Sequence, residues 1–427
     1  MSKGTKPIIW CFWPWSGMWS MGKGAGTSIC YRSLEAMLDA GYEVHLFAKN
    51  DGLSRREESC EGIHVHRFNV PMGELIHSLQ NFIGKVKPFR IINITVLQIL
   101  YYLLYTSAEM QLGIREGKKR QPSLIYAFST YDVLSVFLLS RRFNVPNITR
   151  LFGIWEGQLI LKSPSQTIFK WQTALAFLIP STYLIITDDG TQGDKVAQKF
   201  AVSAGRLRFW RNGVDINACS LDSNPELLLN KLGIPQSTKI VLTASRLDTW
   251  KRLDRVIGAV PYVASEIENV LFVILGDGNE KGNLEKLAHS LGVEKSVRFT
   301  GIIPNKTVPE FMKAADIFVS TNDLSNVSNG LLEAMSCGKC IVTLDTGDTK
   351  KLIQNNITGK LVPTGEEEKI VKGLADAIVN VLKDDKLRAK LGENARKYAE
   401  ENFYSWEERM NMELELVEEA RKERKRG

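Results

Sequence analysis

A chain of 427 residues with 44% hydrophobic and 24% charged residues exceeds one ordinary core and predicts two or three soluble globular domains. The formal charge of +7 favours anionic partners, and on charge alone nucleotide sugars, a phospholipid surface and nucleic acid all stay open. A nucleic-acid role has nothing but this modest charge behind it and is not expected. No window reaches the roughly 20 apolar residues of a membrane span, and no signal-like segment precedes the six scattered cysteines, so a cytoplasmic protein with reduced thiols is expected.

In chain order, Ile8 to Trp13 is a short apolar run that reads as a strand. Trp10, Trp13, Trp15 and Trp19 crowd this segment; Trp10 reads as core, while Trp15 and Trp19 suit either a packed loop or a stacking platform for an acceptor sugar. The glycine-rich stretch Gly22-Lys23-Gly24-Ala25-Gly26-Thr27 follows, and it lacks the G-x-G-x-x-G spacing of a dinucleotide loop. A helix over 27–40 is expected next, with Gly41 as its stop. Strand-like runs then fall at 43–48, 63–68, 123–128, 148–152 and 183–187. Between 84 and 120, Lys85, Lys87, Arg90, Lys118, Lys119 and Arg120 flank an apolar helix at 97–105. A buried helix with a solvated basic flank is the favoured reading of that segment.

A polar stretch from Asn217 to Ser237 reads as a linker, and a second alternation begins at Lys239. Its strands are expected at 239–243, 270–275, 297–299, 317–319 and 340–342, followed by charged amphipathic helices from Lys369 onward. Short apolar runs separated by helix-length segments imply parallel sheets covered by helices. The fold class expected is therefore α/β, with two facing Rossmann-like doubly wound domains, 1–216 and 217–400, and a ligand cleft at the strands' C-terminal ends. Residues 401–427 form a final helix expected to pack back toward the first domain. Cys337-Gly338-Lys339-Cys340 spells C-x-x-C, but no second half-site exists, and two small buried residues are the simpler reading.

Three motifs carry the chemistry. Arg246 and Lys251 lie just after a strand, where a guanidinium and an ammonium can neutralise a leaving diphosphate. Gly276-Asp277-Gly278 forms a turn after a buried strand. Glu333 stands in Asn329-Gly330-Leu331-Leu332-Glu333-Ala334-Met335, a carboxylate near a helix start, suited to ribose hydroxyls beside phosphate-binding amides. In order and spacing these segments resemble the donor half of the GT4-type retaining glycosyltransferases, glycosyl transferases group 1, of the GT-B fold. The resemblance is dense from about Arg208 to Trp406 and covers the first half in outline.

That resemblance implies transfer of a sugar from a nucleoside diphosphate, UDP or GDP, with retained anomeric configuration, no metal and no other cofactor. No Asp-x-Asp motif is placed to bind a metal. Arg246, Lys251 and Glu333 would carry catalysis. Gly24, Gly26, Asn212, Gly276, Asp277, Gly278, Arg298 and the loop Ser325, Asn326, Val327, Ser328, Asn329, Gly330 would bind the donor. Trp15, Trp19, Lys23 and Phe152 would face a glycan or lipid-linked acceptor, and peripheral contact with an anionic membrane would serve the latter.

Two positions depart from the family pattern. Ser325 stands where a Glu eight residues before Glu333 is usual, and Phe152 where a His near the end of a middle strand is usual. Asp323 is a nearby substitute for the first. The five histidines all lie elsewhere and read as structural. The alternative is a catalytically weak or inactive nucleotide-sugar-binding protein; an epimerase or hydrolase would need carboxylates and a His around the sugar.

Overall fold

The computed structural model of the protein describes residues 6–14, 29–50, 57–83, 90–220 and 225–423. The first sheet has eight strands: β1 (Ile8–Trp13), β2 (Glu43–Lys49), β3 (Glu57–Cys60), β4 (Ile63–Phe68), β5 (Leu124–Ala127), β6 (Asn147–Leu151), β7 (Tyr183–Thr187) and β8 (Leu207–Trp210). Their order is β3-β4-β2-β1-β5-β6-β7-β8, and only β3 runs antiparallel. The second sheet has six: β9 (Lys239–Ala244), β10 (Val270–Leu275), β11 (Val297–Gly301), β12 (Ile317–Ser320), β13 (Cys340–Leu344) and β14 (Lys360–Val362). It is parallel throughout, in the order β11-β10-β9-β12-β13-β14. Both sheets thus reverse direction beside their first strand, which is the doubly wound pattern. The run Val-Leu-Phe-Val-Ile-Leu of β10 is buried along its whole length, as a strand covered by helices on both faces requires.

The alternation located every long strand but passed over β3, β8 and β14. The supposed linker is not a loose polar tether. It holds the helix Pro225–Lys231, whose Leu228 and Leu229 enter the second domain's core beside Phe311 and Phe318. The expectation of reduced cysteines is also corrected. Cys219 and Cys337 form a disulfide with Cα atoms 5.3 Å apart, because the segment after Asp215 lies across the end of the helix Asn329–Ser336. Cys340 is buried and unpaired.

The final helix, Trp406–Glu423, packs on the first domain. Its Glu413 is buried among Arg150 of β6 (2.5 Å), Arg409 (3.1 Å) and the Tyr126 hydroxyl, which donates to it at 2.6 Å. Burial opposes the Glu413 charge, but the two guanidiniums outweigh it and hold the carboxyl below its usual range.

The segment read as a buried helix is longer and differently placed. It spans Arg90–Gly117, and one side packs through Tyr101, Tyr105 and Leu112 while Val96, Ile99 and Leu103 are exposed. Leu75 and Phe82 of the preceding helix Gly73–Ile83 are exposed as well. No helix among the described residues is long and apolar enough to cross a membrane.

Candidate active site

In the second sheet the order reverses between β9 and β12, so a crevice opens beyond their C-terminal ends. The chain leaving β9 carries Arg246 and Lys251, and the chain leaving β12 leads into the helix Asn329–Ser336. Gly330 lets these two segments meet: a Cβ there would come within 3.0 Å of the Ala244 carbonyl. Ser328 caps the helix by accepting from the Leu331 amide. The first amides of the helix, on Asn329 and Gly330, have no carbonyl four residues back within it and are open to an anion.

Gly276 and Gly278 serve the Arg246 loop directly. Gly276 has φ +129, and a side chain there would overlap the Ser245 carbonyl, as one on Gly278 would overlap Leu247. The Leu247 amide donates to the Asp277 carbonyl (3.0 Å), and the Glu280 amide donates to the Leu247 carbonyl (2.9 Å). The turn therefore holds the cation-bearing segment in place. The Asp277 side chain accepts from the Gly278 amide.

Arg246 extends into solvent, with Asp248 3.3 Å away. Lys251 lies flatter, its ammonium 3.9 Å from the centre of the Trp250 ring. Burial lowers its pKa to about 8; Arg246 adds to the shift, and Asp248 and Asp189 oppose it. Glu333 lines a cavity of about 520 Å³ with Arg32, Asp215, Lys306, Met312 and Trp406. Burial pushes its pKa up to about 7, against the pull of Arg32 and with a contribution from Asp215. Both groups thus change charge near neutrality, a common property of binding and catalytic sites.

The other expected donor residues divide. The Asn212 side-chain amide donates to Asn329 Oδ1 across the domains (3.0 Å). Ser325 is buried, accepts from the Val327 amide and packs against Gly190 of the first domain. A longer side chain at 325 would have to displace that Gly190 backbone. Asn326 is fully buried, and its side chain bonds Ser320, the Asn322 amide, the Leu344 carbonyl and Thr346. Val327 is buried too. Arg298 donates to the Leu232 carbonyl at 2.7 Å, on the far edge of the sheet. Asp323 does not replace the missing Glu: Arg255 (2.8 Å) and Arg252 (3.3 Å) hold it. Gly24, Gly26, Lys23, Trp15 and Trp19 lie outside the described residues.

On the first-domain side, Phe152 stacks parallel to Phe128 and edge-on to Trp13, over the Arg150 guanidinium. It lines a second cavity of about 320 Å³ with Phe128, Tyr131, Trp155 and Gln172. Trp155 reaches the opposite wall, its ring 5.9 Å from that of Trp250. Sequence reasoning missed Asp189, which follows β7 and sits against Gly153, beside Phe152. Thr191 anchors one Asp189 oxygen through its amide (3.1 Å) and hydroxyl (2.6 Å). Burial raises the Asp189 pKa to about 6. Its position at a strand's C-terminal end was the available signal. Arg32, Asp215 and Trp406 carried no signal, because three distant segments supply them.

Residues 226–398 match the family model described as glycosyl transferases group 1. The chain carries a group 1 glycosyl transferase domain on a GT-B fold. It is 31% identical over 178 residues to N-acetyl-alpha-D-glucosaminyl L-malate synthase of Bacillus anthracis, covering 42% of this chain and 45% of that one. The chain spans about half the length of several of the curated relatives it matches. Sucrose-phosphate synthase of Thermosynechococcus elongatus superimposes with a TM-score of 0.72 at 18% identity, covering 97% of this chain and 99% of that one. The Anabaena protein HepE, solved with UDP and glucose, does so with a TM-score of 0.66 at 20% identity, covering 96% and 100%. These likenesses extend the fold to both domains.

Proposed function

We propose that this protein is a retaining glycosyltransferase that moves a sugar from a nucleoside diphosphate sugar, UDP- or GDP-linked, to a carbohydrate or lipid-linked acceptor. The observation that carries the reading is the meeting of the Arg246–Lys251 loop and the Glu333 helix at one switch point. Glu333 accepts the ribose hydroxyls, and the Asn329 and Gly330 amides, with Arg246 and Lys251, take the diphosphate. As the anomeric carbon–oxygen bond breaks, negative charge grows on the leaving phosphate, where those two cations stabilise it more than in the ground state. The acceptor oxygen bonds the anomeric carbon on the face the phosphate leaves, and the phosphate takes the acceptor proton. No step needs a metal, because the cations supply the charge.

The exposed apolar residues of the helices Gly73–Ile83 and Arg90–Gly117 support a lipid-linked acceptor reached from an anionic membrane. Lys85 and Lys87 lie between the two helices in sequence, and Arg90 opens the second. This reading places the protein at the cytoplasmic face of that membrane, with the Cys219–Cys337 disulfide an exception to the reduced thiols usual there.

The test is incubation with UDP- and GDP-sugars and a panel of glycan and glycolipid acceptors, following nucleotide release and the anomeric coupling of the product by proton NMR. Acceptor-dependent release with the donor's anomeric configuration supports the proposal. An inverted product overturns the mechanism. Nucleotide binding without release for any acceptor favours the second reading, a binding protein, which Phe152 and the interface-packed Ser325 motivate.

A further inference from the structure

Three of the five histidines, taken one at a time as structural, come together at the end of the first sheet remote from the cleft. Strands β2 and β4 are parallel neighbours, with His45 opposite His64 and Phe47 opposite His66. Because side chains alternate along a strand, Glu43 and His45 share the face that also carries His64 and His66. Glu43, His45 and His64 each offer one ligand atom, and these atoms all lie within 4.8 Å of one another. Glu43 Oε1 and His45 Nε2 are 3.0 Å apart. Two ligands bound to one ion at about 2.0–2.1 Å sit only slightly farther apart than that in tetrahedral geometry. His64 is exposed, so its ring can rotate to close the triangle and solvent can fill a fourth position.

The surroundings match a ligand set. His45 Nδ1 lies 2.8 Å from His66 Nε2, so His66 orients the ring and fixes which nitrogen is free. One feature opposes a cation: Arg120 Nη1 is 2.6 Å from Glu43 Oε1. The Arg120 side chain is 63% exposed, and an incoming ion can displace it.

We propose that Glu43, His45 and His64 bind a zinc-class divalent ion, which ties β2 to β4 and stiffens the outer part of the first domain. The ligand type, imidazole plus carboxylate, suits zinc over magnesium or calcium. The site is independent of the glycosyl-transfer reading, since it lies at the opposite end of the strands from the cleft.

The test is a zinc titration of the chelator-stripped full chain in competition with a chromophoric chelator, beside thermal unfolding with and without Zn²⁺. One tight equivalent is expected, with a rise in Tm on adding Zn²⁺. His64→Ala, an exposed position that should leave the fold intact by circular dichroism, abolishes both. Arg120→Ala tightens binding by removing the competing charge. His66→Phe weakens it roughly 10- to 100-fold, the cost of losing an orienting partner. Every variant keeps all six cysteines, so thiol binding cancels in the comparison. Equal zinc affinity in wild type and His64→Ala overturns the proposal. So does the absence of a tight equivalent in wild type, which would mean that a proton shared by Glu43 and His45 fills the gap.

Discussion

The two walls of the cleft are built on different logics. The second-domain wall presents groups drawn from short contiguous motifs: a cation-bearing turn, a glycine turn that supports it, and one carboxylate on a capped helix. The first-domain wall is an aromatic surface of Phe128, Phe152 and Trp155, backed by a buried ionic web that reaches the chain's last helix. A diphosphate and a ribose present the same atoms in every donor, so a fixed motif can meet them. Acceptors vary, and a wall assembled from distant segments can vary with them.

The strongest way to break this contrast is to cut the web. Glu413→Ala leaves Arg150 and Arg409 buried without their shared counter-ion, and we expect a loss of about 3–5 kcal/mol in unfolding free energy, read by thermal or urea denaturation. Nucleotide affinity measured on the folded fraction should stay near wild type. A matching loss of affinity would show that the walls are not independent.

Lys251→Ala acts on the other wall. If Lys251 holds the diphosphate as proposed, its removal should cost about 1.5–3 kcal/mol of UDP or GDP binding, a roughly 10- to 150-fold weaker Kd by calorimetry, with little change in Tm.

The pH profile sharpens the contrast further. Glu333 must be ionised to accept two hydroxyls, so affinity should rise as pH climbs through about 7. Lys251 must stay protonated to hold phosphate, so affinity should fall as pH passes about 8. A bell with its maximum between those values is expected by calorimetry. Glu333→Gln should remove the acidic limb only. Because the folded Glu333 pKa is raised, that group's contribution to stability declines from about pH 4.5 to 7, the opposite of a salt-bridged carboxylate.

The smallest effect belongs to Phe152→Leu. It trims the acceptor-side wall, and nucleotide affinity should remain within about twofold by the same calorimetry, since distant sites act additively.

Both sheets were legible because buried parallel strands are written as unbroken apolar runs, as in β10. Short edge strands such as β14, with three residues, carry too little pattern. The helix Pro225–Lys231 hid within a polar stretch because only Leu228 and Leu229 turn inward. At the candidate site, order and spacing singled out Arg246, Lys251 and Glu333, whose roles remain the proposal above. The glycines were readable as a turn but not as the support of the Arg246 loop, which is a matter of close backbone approach. Asp189, Arg32 and Trp406, like the pairing of His45 with His64, depend on contacts between segments far apart in the chain, and no local pattern encodes these.

The most direct test of the central claim compares Kd for the ribonucleoside diphosphate that binds and for its 2′,3′-dideoxy analogue, in wild type and Glu333→Ala, by calorimetry. The account predicts that wild type prefers the ribose form and that the variant binds both alike, with the dideoxy affinity unchanged. An undiminished preference for ribose in Glu333→Ala would contradict the placement of the nucleoside against Glu333.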